Sequence, residues 1–204
     1  MKLLHNDKNL FRDVIETVSQ HTGQNIKIVE KDYYVTMILK NLTLRIPELV
    51  FKGGTSLSKC HHVINRFSED VDLSTDIPVP QKRRKEIKNI IRSVVQDLGL
   101  EIVNIEDTRS RRDYNKYKIA FGSVVKEDLD IVNENVVLEM TYISTALPNE
   151  KLPVENIIGD FLNEKQHMFY EEYGLIPFEM KVQSLERTFI DKIFALCDYS
   201  MREE

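Results

Sequence analysis

Two segments that lie close together in the sequence contain residue types suited to binding phosphate and a metal ion. The first, residues 51–59, has the glycine pair Gly53 and Gly54 directly after an apolar run. The glycines allow a sharp turn, and a helix starting there would aim free amide groups and its positive dipole end at the turn. Because this arrangement binds phosphate, we predict a nucleotide site here, with Thr55 or Ser56 capping the helix.

The second segment, residues 66–73, supplies carboxylates. Asp70 and Asp72 alternate with apolar residues, so a strand would project both acids from one face, with Ser68 beside them. Two carboxylates this close repel each other unless a cation lies between them. Magnesium prefers carboxylate oxygens and completes its shell with substrate phosphates, so we predict a site for Mg²⁺ or Mn²⁺ at Asp70 and Asp72.

Each fragment has an ordinary interpretation when it is considered alone. A Gly-Gly-Thr-Ser sequence is common in tight turns, and Asp-x-Asp is common at solvated strand edges. In the order found here, strand, turn and helix followed by an alternating strand, the two form the pattern of a nucleotidyltransferase active site. Metal-dependent hydrolysis of phosphodiesters is an alternative, because paired carboxylates also serve nucleases, although that reaction has less use for a phosphate-binding turn.

The sequence resembles the nucleotidyltransferase toxins of the AbiEii/AbiGii group, part of the DNA polymerase β-like nucleotidyltransferase superfamily. The segments that carry this resemblance are residues 29–35, residues 51–59 with 66–73, and residues 185–193. The resemblance implies an α/β (α+β) fold, with a mixed sheet flanked by helices and a helical C-terminal lobe. It also implies NTP as substrate, a divalent metal, an RNA acceptor such as tRNA, and a cognate antitoxin in a toxin–antitoxin or abortive-infection system.

The resemblance also assigns roles to individual residues. Those predicted to bind the nucleotide are Lys52, Gly53, Gly54, Thr55, Ser56, Lys59, Arg66 and Ser68. Asp70 and Asp72 would hold the metal as catalytic residues. Lys192 would contact the nucleotide phosphates or the charge that develops in the transition state. The alternative for Lys192 is an ordinary solvated helix lysine.

One departure from the family pattern concerns the end of the sequence. After the lysine, family members would continue with a helical segment containing an Arg-Asp-x-x-Asp-like sequence, whereas here Asp198 is the only later aspartate before Glu204. We therefore expect a shortened C-terminal lobe. This departure favours an alternative function, a catalytically poor nucleotide-binding or antitoxin-binding module.

Glu139 is the candidate for a third catalytic carboxylate. Residues 136–143 are rich in β-branched side chains, which predicts a buried strand. A buried ionised carboxylate needs a partner or a metal. Glu139 therefore either joins the two aspartates in the catalytic site or forms a salt bridge with Arg66 or another cation.

The overall charge limits the kinds of partner. A formal net charge of −5 argues against indiscriminate binding of nucleic acid, which usually needs a basic domain. Residues 82–85 and 109–118 are nevertheless basic, and the second run includes Tyr114 and Tyr117, which could stack on bases. We interpret the first run as a solvated face and leave the second as a candidate RNA-contacting strand.

Other features of the composition indicate the location of the protein. No segment is long and apolar enough to span a membrane, and the first residues reach charge too early for a secretory signal. Cys60 and Cys197 have neither metal-ligand spacing nor a disulfide-rich context. We therefore expect a cytoplasmic protein with no membrane partner.

The segments around the candidate site predict one mixed core over residues 1–147, with N-terminal helices separated at Gly23. An apolar strand leads into the glycine turn, and an amphipathic helix runs from Pro80 to Gly99. Further strands, mostly antiparallel, are predicted at residues 101–105, 118–125 and 136–143.

After Pro148 the pattern changes to helices, so we expect residues 148–204 to form a mostly helical C-terminal lobe. Its predicted elements are a helix at residues 155–162, a short strand at 178–182 and a last helix from Ser184. The predicted buried stripe of the last helix is Leu185, Phe189, Ile193 and Leu196. Lys192 then lies on the flank of this stripe, where it can point across a cleft.

Overall fold

The computed structural model describes residues 2–64, 70–125, 135–163 and 167–202. The helices are α1 (Lys8–Thr22), α2 (Ile26–Arg45), α3 (Gly53–Lys59), α4 (Gln81–Asp97), α5 (Ile157–Asn163), α6 (His167–Glu172) and α7 (Leu185–Arg202). The strands are β1 (Leu49–Lys52), β2 (Asp70–Thr75), β3 (Glu101–Ile102), β4 (Tyr114–Ala120), β5 (Asn135–Thr141), β6 (Asn149–Val154) and β7 (Phe178–Gln183). Arg66 and Ser68, two of the predicted nucleotide-binding residues, lie outside the described residues.

The strands of the described residues form one seven-stranded sheet in the order β3-β4-β5-β2-β1-β7-β6. Two neighbouring pairs are parallel, β1 with β7 and β2 with β5, and the other pairs are antiparallel. The sheet is therefore mixed, as predicted. Since β1 and β2 lie near its centre, the glycine turn after β1 and the aspartates of β2 are held by neighbours on both sides.

The strand register aligns charged residues in a row across the sheet. Lys52 of β1 lies opposite Asp72 of β2, Asp72 lies opposite Glu139 of β5, and Glu139 lies opposite Lys116 of β4. Because paired residues of neighbouring strands point to the same face, these four side chains share one face of the sheet. We call them the charged row.

The opposite face of the same strands is apolar and forms the core. Phe51, Leu73 and Leu138 alternate with members of the charged row and are fully buried. They belong to one hydrophobic cluster with residues of α2 such as Tyr33 and Leu39. The alternation of polar and apolar residues along each strand thus fixes which face becomes the site.

The first resemblance segment, residues 29–35, lies within α2, and its charged side chains make buried contacts. The Glu30 carboxylate accepts hydrogen bonds from the Ser123 hydroxyl at 2.6 Å and the Val124 amide at 2.8 Å. Asp32 forms an ion pair with Lys59 and accepts a hydrogen bond from the Ile157 amide at 2.9 Å. These contacts join α2 to α3 and α5, so the segment supports the fold around the site.

A half-buried histidine anchors the N-terminus to the core. His5 contacts the Leu98 carbonyl oxygen through Nε2 at 2.8 Å and the Tyr33 hydroxyl through Nδ1 at 2.9 Å, and the Leu4 amide donates to the same hydroxyl. These contacts are all satisfied when the neutral ring donates from Nε2 and accepts from the Tyr33 hydroxyl. Burial lowers the pKa of His5 below its ordinary value.

This lowered pKa predicts a pH-dependent contribution to stability. Below the unfolded-state pKa the unfolded chain binds the proton more readily than the folded one, so the contribution of neutral His5 is lost as the pH falls. At pH 7.5 we expect His5→Gln to unfold at a lower temperature than the parent. The difference between their melting temperatures should shrink between pH 7.5 and 5. A gap that stays constant or widens on acidification would contradict this.

Several sequence-based element boundaries were wrong. The strand predicted at 118–125 starts earlier, at Tyr114, and ends at Ala120. The strand predicted at 101–105 covers only two residues. The expected change to helices after Pro148 is wrong for β6, which tolerates Pro153 because it is an edge strand. Through β6 and β7 the sheet continues into residues that had been predicted as a mostly helical lobe.

The apolar stripe of α7 is exposed, which corrects the prediction of a buried stripe. The exposed fraction is 67% for Phe189, 71% for Leu196, 43% for Ile193 and 39% for Leu185. More than a third of each of these residues is exposed, so the amphipathic pattern predicted the helix correctly and its burial wrongly. No helix in the described ranges is long and apolar enough to cross a lipid bilayer.

Candidate active site

The turn after β1 brings the chain directly against the β2 carboxylates. Gly53 has a φ of 75°, in the left-handed region that favours glycine. A Cβ built on Gly53 would overlap the Asp72 carboxylate, with Asp72 Cγ at 2.7 Å and Cβ at 2.9 Å. The structure therefore places the predicted metal-binding and phosphate-binding residues in contact.

A helix follows β1 at once, as predicted, but α3 already begins at Gly53, so the predicted capping is wrong. Its N-cap residue is Lys52, and no side chain caps the first turn. Thr55 and Ser56 lie within the helix, where both hydroxyls donate to carbonyl oxygens instead. The Thr55 hydroxyl donates to the Asp70 carbonyl oxygen, and the Ser56 hydroxyl donates to the Gly53 carbonyl oxygen at 2.9 Å. These bonds fix the turn against the start of β2.

The electrostatics of Asp72 show which charges surround it. Its pKa is raised, mainly by burial, and Glu139 and Asp70 raise it further as neighbouring acids. Lys52 and Lys192 act in the opposite direction. The structure thus assembles four of the other predicted site residues around the Asp72 carboxylate, and the raised pKa means that the charged form is held at a cost in free energy.

Lys192 lies in a cavity beside Asp72. The cavity is lined by Lys52, Gly53, Asp72, Gln183, Thr188, Asp191, Lys192 and Ala195. Asp191 accepts hydrogen bonds from Gln183 Nε2 at 3.0 Å and from Arg187 Nε at 2.9 Å. These bonds attach this turn of α7 to the end of β7 and so orient Lys192. Sequence reasoning missed Gln183, Thr188 and Asp191, although Asp191 precedes Lys192 directly within the resemblance segment 185–193.

A second cavity extends from Asp72 along the same face of the sheet, towards β5 and β4. It is lined by Lys52, Asp72, Leu73, Tyr114, Glu139 and Thr141. Glu139 forms an ion pair with Lys116 at 2.9 Å, so a cation other than Arg66 is its partner among the described residues. This contact does not remove Glu139 from the site, because the same carboxylate faces Asp72 across the strand pair.

Lys59 lies apart from these two cavities. It forms an ion pair with Asp32 at 2.5 Å, and the two side chains are 7% and 11% exposed. The pair lines a separate cavity together with Thr55, Glu155 and Asp160. The pKa of Asp160 in this cavity is raised to about 6, mainly by burial and to a lesser extent by the neighbouring Glu155. The structure therefore does not bring Lys59 to Asp72.

The two basic segments differ in how their charges are used. In the first, Arg83 pairs with Glu48 and Arg84 with Asp113, so these arginines hold the fold together. In the second, Tyr117 is 1% exposed and cannot stack on a base, which corrects that prediction. Tyr114 is 42% exposed and lies at the rim of the Glu139 cavity, so it can.

The donor set for a metal ion is limited. Within the described part of the chain, no group of three His, Cys, Asp or Glu side chains is arranged to hold a metal ion by itself. The carboxylates close to the glycine turn are nevertheless of the type that Mg²⁺ prefers, and this ion commonly takes one or two carboxylates and completes its shell with water and substrate phosphates.

The mixed sheet, with the glycine turn next to the carboxylates, is the arrangement that the sequence predicted for a nucleotidyltransferase. The family model of the nucleotidyl transferase AbiEii toxins, from type IV toxin–antitoxin systems, matches residues 39–203, and the chain belongs to this family. The family resemblance predicted from the sequence is thereby confirmed. A comparison with curated proteins found no match.

A solved structure with a similar fold is that of MenT4, a nucleotidyltransferase toxin from Mycobacterium tuberculosis H37Rv. The TM-score is 0.55 and the sequence identity is 19%. The match covers 88% of this chain, and the chain spans 57% of the MenT4 chain. At this identity the likeness supports the fold alone, and it confirms the predicted mixed sheet flanked by helices.

Proposed function

We propose that this chain is the catalytic core of a toxin that transfers a nucleotide from an NTP to an RNA acceptor such as tRNA, with Mg²⁺ or Mn²⁺ as cofactor. The observation that carries the proposal is the contact between Gly53 and the Asp72 carboxylate. A chain segment that can meet phosphate and a carboxylate that can meet a cation lie side by side there. Family membership supports the transferase reaction and a cognate antitoxin.

The residues present fit a divalent cation. The acidic neighbours and burial that raise the pKa of Asp72 make its charged form unfavourable without a positive partner. Asp70 and Asp72 would hold the ion, with Glu139 as the candidate third carboxylate. When bound, the cation would neutralise charge on the substrate phosphates and help to align the reacting groups.

The positions of the charged side chains in and beside the charged row suggest which part each of them plays in nucleotide transfer. Lys52 and Lys192 would balance the charge of the triphosphate, next to the Gly53 turn. An acceptor hydroxyl attacks the α-phosphorus, the bond from that phosphorus to the β-phosphate oxygen breaks, and pyrophosphate leaves. The hydroxyl proton passes to the Glu139 carboxylate. Stabilisation of the transferred phosphoryl group is electrostatic, so loss of one of these charges should lower the rate strongly.

Asp70→Ala tests the proposal. We expect this change to reduce transfer by about 100-fold or more, without unfolding the chain, because the Asp70 side chain is only half-buried. The assay incubates the protein with each labelled NTP, Mg²⁺ and total RNA, with and without EDTA. The control is Lys85→Ala, at an exposed lysine of α4 that lines neither cavity.

The outcomes distinguish the candidate functions. If Asp70→Ala transferred nucleotide as fast as the parent, the proposal would be wrong. Shortening of the RNA in place of labelling would select a metal-dependent phosphodiesterase. Tight NTP binding by the parent with no transfer to any acceptor would select a nucleotide-binding module.

A further inference from the structure

The two cavities of the site meet at Asp72 and extend in opposite directions along the sheet. One, of about 150 Å³, extends towards Gln183 and Lys192, and the other, of about 200 Å³, extends towards Glu139 and Tyr114. Complete small-molecule pockets typically measure roughly 300–1,000 Å³. Each cavity is therefore suited to part of the substrates, and the shared residues Lys52 and Asp72 mark the place where two reactants would meet.

The chemistry of the linings differs between the cavities. The first contains Gly53, Lys192 and Lys52, the groups suited to a triphosphate. If the proposed function holds, the leaving pyrophosphate lies on this side. An in-line displacement places the attacking oxygen opposite the leaving oxygen. The acceptor hydroxyl then approaches from the second cavity, between Asp72 and Glu139.

Tyr114 is the exposed aromatic residue at the mouth of this second cavity. It is 42% exposed, and its hydroxyl lies near the Glu139 carboxylate in the lining of the cavity, which leaves the ring at the rim. On the same face of β4, Lys116 and Lys118 are also exposed. An aromatic ring beside the reacting carboxylate is the kind of surface on which a nucleic-acid base stacks.

The loop that leads into Tyr114 adds positive charge. Arg109, Arg111 and Arg112 are exposed, and the neighbouring acid, Asp113, pairs with Arg84. The chain as a whole carries a formal charge of −5, so this basic stretch stands out against an acidic background. Phosphate contacts supply most of the affinity of single-stranded nucleic acids, whereas an apolar small-molecule acceptor would gain nothing from them.

We infer that β4 is the acceptor-binding strand, and that the base at the end of a single-stranded RNA stacks on Tyr114 while its phosphates lie along the basic loop at residues 109–112. The inference rests on the proposed function for the identity of the reaction. It goes further in giving the site a direction, with the donor on the Lys192 side and the acceptor on the Tyr114 side.

Two substitutions of Tyr114 separate stacking from hydrogen bonding. Tyr114→Leu removes the ring but keeps apolar bulk, whereas Tyr114→Phe keeps the ring and loses the hydroxyl contact with Glu139. Because Tyr114 is well exposed, both proteins should fold, and their melting temperatures check this. Lys85→Ala serves as the control. The measurements are acceptor KM and kcat, NTP Kd, and the Kd for a short fluorescein-labelled single-stranded RNA.

Stacking of one base contributes enough for about a 5- to 100-fold effect. We expect Tyr114→Leu to raise acceptor KM and RNA Kd by that factor, with NTP Kd unchanged. Tyr114→Phe should bind RNA far better than Tyr114→Leu and lose mainly kcat. A merely structural role would change donor and acceptor binding together.

The results that would overturn the inference differ from those that would overturn the function. Equal RNA affinity of Tyr114→Leu and the parent would overturn the inference, as would a loss of NTP affinity instead. Labelling of protein hydroxyls with no binding of RNA would also overturn it while leaving the NTP site in place. A parent that binds RNA through Tyr114 but transfers no nucleotide would overturn the proposed function and support the acceptor surface.

Discussion

Asp72→Asn is expected to raise the melting temperature of the magnesium-free protein while abolishing nucleotide transfer. Burial and the acids Glu139 and Asp70 make the charged form of Asp72 unfavourable despite Lys52 and Lys192. An asparagine keeps the shape and removes the charge. We expect a gain of about 1 kcal/mol, which corresponds to roughly 2–4 °C for a chain of this size. Differential scanning fluorimetry with and without Mg²⁺ measures the effect, and the labelled-NTP assay measures the loss of activity.

The same substitution at Asp76 provides the matched control. Asp76 forms an ion pair with Lys181 at 2.5 Å, so its charge has a direct partner and lies outside the two cavities. Asp76→Asn should therefore lower the melting temperature. Added Mg²⁺ should stabilise the parent and the Asp76 variant but leave Asp72→Asn unchanged. If Asp72→Asn melted below the parent without Mg²⁺, repulsion between the carboxylates would not destabilise the protein, and the argument for a cation between them would fail.

Gly53→Ala is expected to cost transfer activity far more than stability. The added methyl group would overlap the Asp72 carboxylate, so either the turn or the acid must move. A shift of about 1 Å in a catalytic group commonly costs on the order of 100-fold in rate. The positive φ adds about 1 kcal/mol of backbone strain. Activity and NTP binding should fall by about 100-fold or more, with a melting temperature a few degrees lower.

Gly99→Ala separates strain from the clash. Gly99 has a φ of 67°, close to that of Gly53, but a Cβ there would meet nothing within 4 Å. Gly99→Ala should therefore show the loss of stability without the loss of activity. If both variants kept full activity, Asp72 would not need its position against the turn. If both lost activity equally, the effect would come from general destabilisation.

The sequence predicted that the glycine turn and the aspartates lie close together, because the signals for both are local. An apolar strand, a glycine turn and alternating aspartates each constrain the backbone within a few residues. Their contact in space follows once β1 and β2 pair as neighbours, as the Lys52 and Asp72 register shows. Alternation along β5 likewise placed Glu139 on the same face. Local patterns of this kind are set by backbone geometry and need little tertiary information.

Predictions that depended on distant partners were less accurate. Side chains alternate between the two faces of a strand, so Tyr114 and Tyr117 of β4 point to opposite faces. The strand was predicted to begin only at residue 118, and this difference between the two tyrosines was therefore not predicted. Thr55 and Ser56 were suited to capping, yet α3 begins before them and their hydroxyls found carbonyl oxygens. Lys59 resembled a phosphate ligand by sequence position, whereas its partner Asp32 comes from a distant helix.

Helix α7 shows a different kind of error. Its apolar stripe was predicted to be buried, because amphipathic helices usually bury their apolar side. The pattern of apolar residues predicts which side of the helix is apolar, but it does not predict which other element packs against that side. Phe189 and Leu196 remain largely exposed, while Lys192 reaches the cavity as predicted. The prediction that Lys192 lies beside the apolar stripe and faces a cleft therefore did not depend on whether the stripe is buried.

The pairing of β1 with β7 has a consequence for synthesis on the ribosome. Val50 lies opposite Lys181, so strands far apart in the sequence are neighbours, and α7 with Lys192 follows directly from β7. Most of the chain must therefore leave the exit tunnel before the two halves of the cleft can come together. A partly translated copy would hold its acids and glycines without the opposing lysine. Under the proposed function, a growing chain has no transfer activity until Lys192 has left the exit tunnel.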